Sequence, residues 1–170
     1  MNLKIIGAVC VIVACGGAGF LMAAQYLSNI RMHTDMIIAL NYMESDLHYR
    51  CTPLPSLCRQ ASEQVYGKVR LVFMELADEL EAQISPNAEL CMASVLDKLC
   101  LTHSKLGSIF MELGRNLGKF DMDGQMLALR NVRNLCSEEL KQLQKGRAGR
   151  VRSYQTLGLC AGAAIAILFV

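Results

Sequence analysis

From Ile5 to Ala24 the chain reads IIGAVCVIVACGGAGFLMAA, twenty consecutive residues without a charge. At about 1.5 Å per residue, a helix of that length covers roughly 30 Å, the hydrocarbon thickness of a bilayer. Helices in water-soluble cores are rarely apolar on every face for so long. The run reads as a membrane anchor, with residues 1–24 as an N-terminal transmembrane helix. The remaining chain then becomes a question of sidedness.

A second apolar run, LGLCAGAAIAILFV, extends from Leu157 to Val170. Its 14 residues are short for a span, but counting from Ser153 gives 18 uncharged residues, with Tyr154 placed for the interface. Residues 153–170 therefore read as a C-terminal transmembrane helix, leaving 25–152 as the domain between two anchors. Small residues recur at Gly158, Gly162 and Ala166 and at Cys15, Gly19 and Ala23. Such stripes suit close helix contact in lipid, and are also common in any membrane helix. Outside the domain only Lys4 is basic, whereas Arg31, Lys141, Lys145, Arg147, Arg150 and Arg152 lie on its side of the anchors. The positive-inside rule places the domain in the cytoplasm. Ile12-Val13-Ala14-Cys15 resembles a lipobox, which would lipidate Cys15 and export the domain. Against export, the chain stays apolar for nine residues beyond Cys15, and the positive charge sits on the domain side.

All 15 acidic and 16 of the 17 basic residues fall between Gln25 and Gln155, so the domain is nearly neutral and offers no bulk attraction for nucleic acid. The absence of Trp and the presence of only three Pro favour helices over strands. The domain holds five cysteines, Cys51, Cys58, Cys91, Cys100 and Cys136, an odd number with no CxxC pair. That is a poor disulfide framework and a poor zinc site; small buried hydrophobes in a reducing compartment fit better.

Hydrophobic periodicity predicts an all-α domain. Ile30, Ile37, Leu40, Met43 and Leu47 give a helix over 30–49. Thr52-Pro53-Leu54-Pro55 breaks it, with Thr52 able to cap and Pro53 suited to the first position of a short helix reaching Val65. Gly67 marks a turn, and Val69, Val72, Phe73, Leu76 and Leu80 form the inner face of a helix over 68–83. Helices over 88–100 and 103–117 follow, the second ending at Gly118 as its C-cap. Asp121 or Asp123 caps a last helix carrying Met126, Leu129, Val132, Cys136, Leu140 and Leu143. The predicted architecture is an antiparallel bundle of about six helices flanked by N- and C-terminal transmembrane helices.

No constellation supports catalysis, so the chain reads as a non-enzyme without metal or cofactor. Asp121-Met-Asp123-Gly124 mimics the start of a calcium loop, but the glycine comes two positions early and the twelfth position is Val132. His33, His48 and His103 are scattered, and no HExxH, GxSxG or phosphate-cradling glycine loop occurs. Lys145, Arg147, Arg150 and Arg152 cluster beside the second anchor, where they suit anionic lipid headgroups or fix topology. Glu75, Asp78, Glu79 and Glu81 form an acidic face, either solvated or able to dock a basic partner.

Three segments in this order resemble one family: TPLP at Thr52–Pro55, LGKFDMDGQ at Leu117–Gln125, and the end RSYQTLGLCAGAAIAILFV. The second resembles an LG-x-x-D-x-x-x-Q pattern met here by Leu117, Gly118, Asp121 and Gln125. Over nearly its whole length the chain resembles the stage III sporulation protein AB family of endospore-forming bacteria. It departs in lacking the Trp that the family often carries in the helix corresponding to residues 88–100. The resemblance implies a six-helix domain similar to the cytoplasmic domain of type II secretion and type IV pilus platform proteins. It implies a place in the mother-cell membrane facing the forespore, with the domain in the mother-cell cytoplasm. The implied partners are the secretion-type ATPase of the same operon and other membrane components of the channel, with oligomerisation open. A two-helix membrane sensor or ligand-binding helical bundle is the alternative, and a sensing domain would ordinarily lie outside.

Overall fold

The computed structural model describes residues 2–50, 52–83, 87–118 and 122–146, with Gly149, Ser153, Thr156 and Cys160; for residues 2–13, 15, 16 and 122 it describes the backbone alone. Among the described residues there are six α-helices and no strand: α1 (Asn2–Tyr49), α2 (Leu54–Glu63), α3 (Gly67–Glu81), α4 (Ala88–Lys98), α5 (Lys105–Asn116) and α6 (Met122–Lys145). Two compact units are formed, one by Arg31–Lys141 and the other by Met1–Ile30 with Gln142–Val170. The helix predicted over 30–49 is the C-terminal part of α1, which runs on unbroken from Asn2. The intervening Gln25–Asn29 contains no Gly or Pro to interrupt it.

The core of the larger unit confirms the periodicity. Met36, Leu40 and Met43 of α1, Leu57 and Cys58 of α2, Val72, Phe73 and Leu76 of α3, Met92 and Leu96 of α4, Phe110 and Leu113 of α5, and Val132 and Cys136 of α6 are all buried together. Phe73 and Phe110 meet edge-on at 5.7 Å between ring centroids, an arrangement worth about 1 kcal/mol beyond burial alone. Helices α4 and α5 approach so closely that a Cβ on Gly114 would stand 2.7 Å from Met92 Cβ. In the smaller unit, Ala23, Tyr26 and Ile30 are buried, and the Tyr26 hydroxyl donates to the Leu143 carbonyl. On the same turns of α1, Phe20, Leu21 and Met22 are exposed.

Three local expectations need correcting. Thr52 does not cap α2: the N-cap position belongs to Pro53, with no side-chain cap, and the Leu57 N–H reaches the Pro53 carbonyl at 2.9 Å. The second proline of the motif, Pro55, takes the early helical position expected of Pro53. Helix α4 stops at Lys98, not residue 100, because Cys100 turns left-handed at φ 53°. The Leu101 N–H then bonds the Leu96 carbonyl at 2.9 Å and the Cys100 N–H bonds Asp97 at 3.0 Å, a Schellman closure built without the usual glycine. Helix α5 consequently begins at Lys105, capped by Ser104, whose Oγ accepts from the Gly107 N–H at 2.9 Å. Helix α5 ends at Asn116 with Leu117 as its C-cap, one residue before the expected Gly118, which follows in the left-handed region at φ 75°.

Among the described residues no helix is long and apolar enough to cross a membrane. The side chains of most of the 5–24 run, and all but one residue of the 157–170 run, lie outside the described residues.

Candidate interaction surface

Two of the sequence segments singled out above come together. Leu54, the first residue of α2, is half-buried on the core, and its Cδ2 would be 3.9 Å from a Cβ placed on Gly118. Leu117, buried, is the C-cap of α5 and donates its N–H to the Leu113 carbonyl at 3.0 Å. At Gly118 the left-handed backbone, not lack of space, demands glycine. Gln125 is half-buried in the first turns of α6, and Pro53 is exposed. Asp121 lies outside the described residues, as do Arg147, Arg150 and Arg152 of the basic cluster; Lys145 is exposed at the end of α6.

Beside this turn a groove of about 410 Å³ runs between α5 and α6, with Glu112 and Asn116 on one wall and Leu127, Ala128 and Leu135 on the other. Leu127 is 61% exposed and Leu135 43% exposed, so the α6 wall shows apolar side chains to solvent. Around the opposite side of α6, Arg130 Nε donates to Glu44 Oε1 at 2.6 Å and Arg133 Nη1 to Glu44 Oε2 at 2.8 Å, with Asn41 Oδ1 at 3.1 Å from the same Nη1. One carboxylate thereby ties α6 to α1, a link that no local sequence pattern announces.

The acidic residues of α3 do not form a simple solvated stripe. Arg59 of α2 bonds Asp78 and Glu81, each at 2.8 Å, and the hydrogen bond to Asp78, then that to Glu81, raises the guanidinium pKa. Glu79 is turned inward and buried; its Oε1 accepts from the Ser94 hydroxyl at 2.8 Å and from Lys98 Nζ at 2.7 Å. Hydrogen bonding to Glu79 is the main cause of a raised Lys98 pKa, with a smaller contribution from Glu75. Glu75 itself is half-buried. The inward turn of Glu79 corrects the expected acidic face, which sets it outward: its spacing after Val72 and Leu76 puts it on the inner stripe.

The second inward carboxylate, Asp46 of α1, continues the stripe of Ala39 and Met43 and is buried. The cysteines Cys58, Cys91 and Cys136 are free and buried, whereas Cys100 and Cys160 are free and exposed. Burial pushes the Cys58 and Cys136 thiols up to about 12, Glu139 adding to the effect at Cys136. Neutral thiols in such surroundings are poor nucleophiles. Asp35 is raised by burial, partly offset by Arg31. Among the described residues no group of three or more His, Cys, Asp or Glu could hold a metal ion.

The family model described as stage III sporulation protein AB matches residues 4–170. Stage III sporulation protein AB of Bacillus subtilis (strain 168) is 26% identical over 171 residues, covering 99% of both chains. A solved structure of stage III sporulation protein AB (SpoIIIAB) superposes with a TM-score of 0.61 at 19% identity, covering 69% of this chain and 94% of that one.

Proposed function

Because the chain belongs to the stage III sporulation protein AB family, we propose that it serves as a non-enzymatic membrane platform. On this reading the apolar runs at 5–24 and 157–170 anchor it in the mother-cell membrane facing the forespore. The bundle stands in the mother-cell cytoplasm and couples a secretion-type ATPase to the membrane components of the channel. The observation that carries this reading is the pairing of a compact helical unit, Arg31–Lys141, with apolar runs at both chain ends. The exposed ring of Phe20, Leu21 and Met22 supports lipid contact at the end of the first run. Lys145, with Arg147, Arg150 and Arg152, meets anionic headgroups beside the second.

The ATPase docks on the α5–α6 groove and the turn before it, since Leu127 and Leu135 are exposed there beside Gly118 and Gln125. The carboxylates of α3 are a weaker surface, because Asp78, Glu79 and Glu81 already have cationic partners within the bundle.

Sidedness is tested with the full chain in a vegetative host, after replacing Cys10, Cys15 and Cys160 by Ala. A membrane-impermeant maleimide should label the exposed Cys100 only after permeabilisation. Labelling in intact cells would move the bundle outside and remove the ATPase as a direct partner. For the docking surface, Leu127→Lys with Leu135→Lys should abolish co-purification with the ATPase, and Asp121→Ala and Gln125→Ala should weaken it. Retention by the double-lysine variant would exclude the groove.

A further inference from the structure

A hollow of about 260 Å³ lies between α1 and α6, and its charged lining is Glu44, Arg130 and Arg133. Tyr49 and Met126 line it beside them, and among the described residues no second Asp or Glu does. Glu44 is fully engaged: Oε1 accepts from Arg130 Nε at 2.6 Å and Oε2 from Arg133 Nη1 at 2.8 Å. The arginines are not. Each spends one nitrogen on Glu44, and Arg133 shares that same Nη1 with Asn41. Both terminal nitrogens of Arg130, with Nε and Nη2 of Arg133, have no acceptor among the described residues. Two guanidinium groups for one carboxylate leave a surplus of one positive charge. That surplus is accessible, since the Arg130 side chain is 53% exposed and that of Arg133 33%, against 16% for Glu44. Tyr49 is exposed as well, its ring edge-on to that of His48, and Met126 is half-buried.

We propose that this hollow docks an acidic side chain, Asp or Glu, presented by a partner protein, with the unused nitrogens of Arg130 and Arg133 as donors and Tyr49 and Met126 as the flanking contact. Charge complementarity selects the anion. Guanidinium donors in a fixed fork match a carboxylate, and bonds between charged partners are about twice as strong as neutral ones. The flanking residues select a protein as the carrier. Tyr, Met and Arg are enriched where proteins meet, and Lys and Glu are depleted there. A free inorganic anion would leave the ring and the thioether in water. Glu44 holds both guanidinium groups beside α1 and at the same time competes with the incoming carboxylate for them. The hollow lies on the opposite side of α6 from the α5–α6 groove, so it does not depend on the ATPase docking there.

The test uses the full chain in non-ionic detergent micelles, labelled with 3-fluorotyrosine and followed by fluorine NMR, with the Tyr49 resonance assigned by Tyr49→Phe. Acetyl-tetraglutamate amide is titrated against acetyl-tetraglutamine amide and against inorganic phosphate. Reading at Tyr49 separates the hollow from the basic residues at 145–152. The resonance should shift saturably with the glutamate peptide, at least about tenfold more tightly than with the glutamine peptide. Arg130→Gln, an exposed change that leaves the Arg133 tie to α1 intact, should weaken binding about tenfold. Glu44→Gln keeps an acceptor for the arginines but removes the competing charge, and should tighten binding roughly threefold. A purely structural ion pair could not gain binding in this way. The proposal falls if the glutamine peptide binds equally, if no saturable shift appears, if Arg130→Gln binds as wild type, or if Glu44→Gln fails to tighten binding. It also falls if phosphate binds about tenfold more tightly than the glutamate peptide, the mark of a small-anion site. The test needs no second protein, so its failure leaves the platform reading standing.

Discussion

Glu79 and Asp46 are each 6% exposed, yet their surroundings are opposite. Glu79, on α3, accepts from both Ser94 and Lys98 of α4. Asp46, near the end of α1, leaves Oδ2 without a partner among the described residues. Burial alone therefore does not assign a role to an acidic residue. A carboxylate whose acceptors are filled from a neighbouring helix fixes the packing of the two helices. One whose acceptor stays empty carries a desolvation cost that no neighbouring helix offsets.

The largest effect expected from this comparison is at Glu79. Glu79→Ala removes two charge-assisted hydrogen bonds and should cost about 2 kcal/mol in chemical denaturation; a change near zero would erase the distinction. Asp46→Asn should act in the opposite direction, raising stability by about 1 kcal/mol because an uncompensated buried charge disappears. A large loss on that substitution would show that Asp46 is structural after all. Lys105→Met breaks only the exposed pair with Glu139 at 3.0 Å, and thermal melts should register about 0.5 kcal/mol or less. Lys98→Met should lower the melting temperature more than Lys105→Met, since it strands Glu79 without its cation.

The same contrast has a pH signature. Lys98 has a raised pKa in the folded chain, so its contribution is complete below the ordinary lysine value of 10.5 and fades as pH rises through the folded value. Cys58 and Cys136 are raised from 9.0 to about 12, so the unfolded chain ionises first and stability falls between these two values. Melting temperature followed from pH 8 upward should decline through that window. The decline should lessen in Cys58→Ala and should be insensitive to Asp46→Asn. Cys100 should react with a thiol reagent in the native state well before Cys58, Cys91 or Cys136.

Most helices were legible because their apolar residues recur at helical spacing, and the predicted inner positions of α3 and α5, from Val69 to Leu76 and from Leu106 to Leu113, are buried. Gly118 was legible because a left-handed C-terminal residue is usually glycine. The early end of α4 was not, because Cys100 adopts the same conformation without a residue type that signals it. For the candidate surface, the sequence brought forward Leu54, Leu117, Gly118 and Gln125, but not the exposed leucines of α6 beside them. An apolar residue at helical spacing reads as core until the neighbouring helix is known to leave it uncovered.

The sequence by itself determined the helical class, the positions of most helices, the two terminal apolar runs and the near-neutral charge of the domain between them. These follow from local periodicity and composition. Only the tertiary structure decided that Arg59 and Lys98 answer the acidic residues of α3, that Glu44 joins α1 to α6, and that Asp46 Oδ2 is left without a donor among the described residues. Whether a charge is paired depends on which helix packs opposite it, and that is set by contacts between residues far apart in the chain.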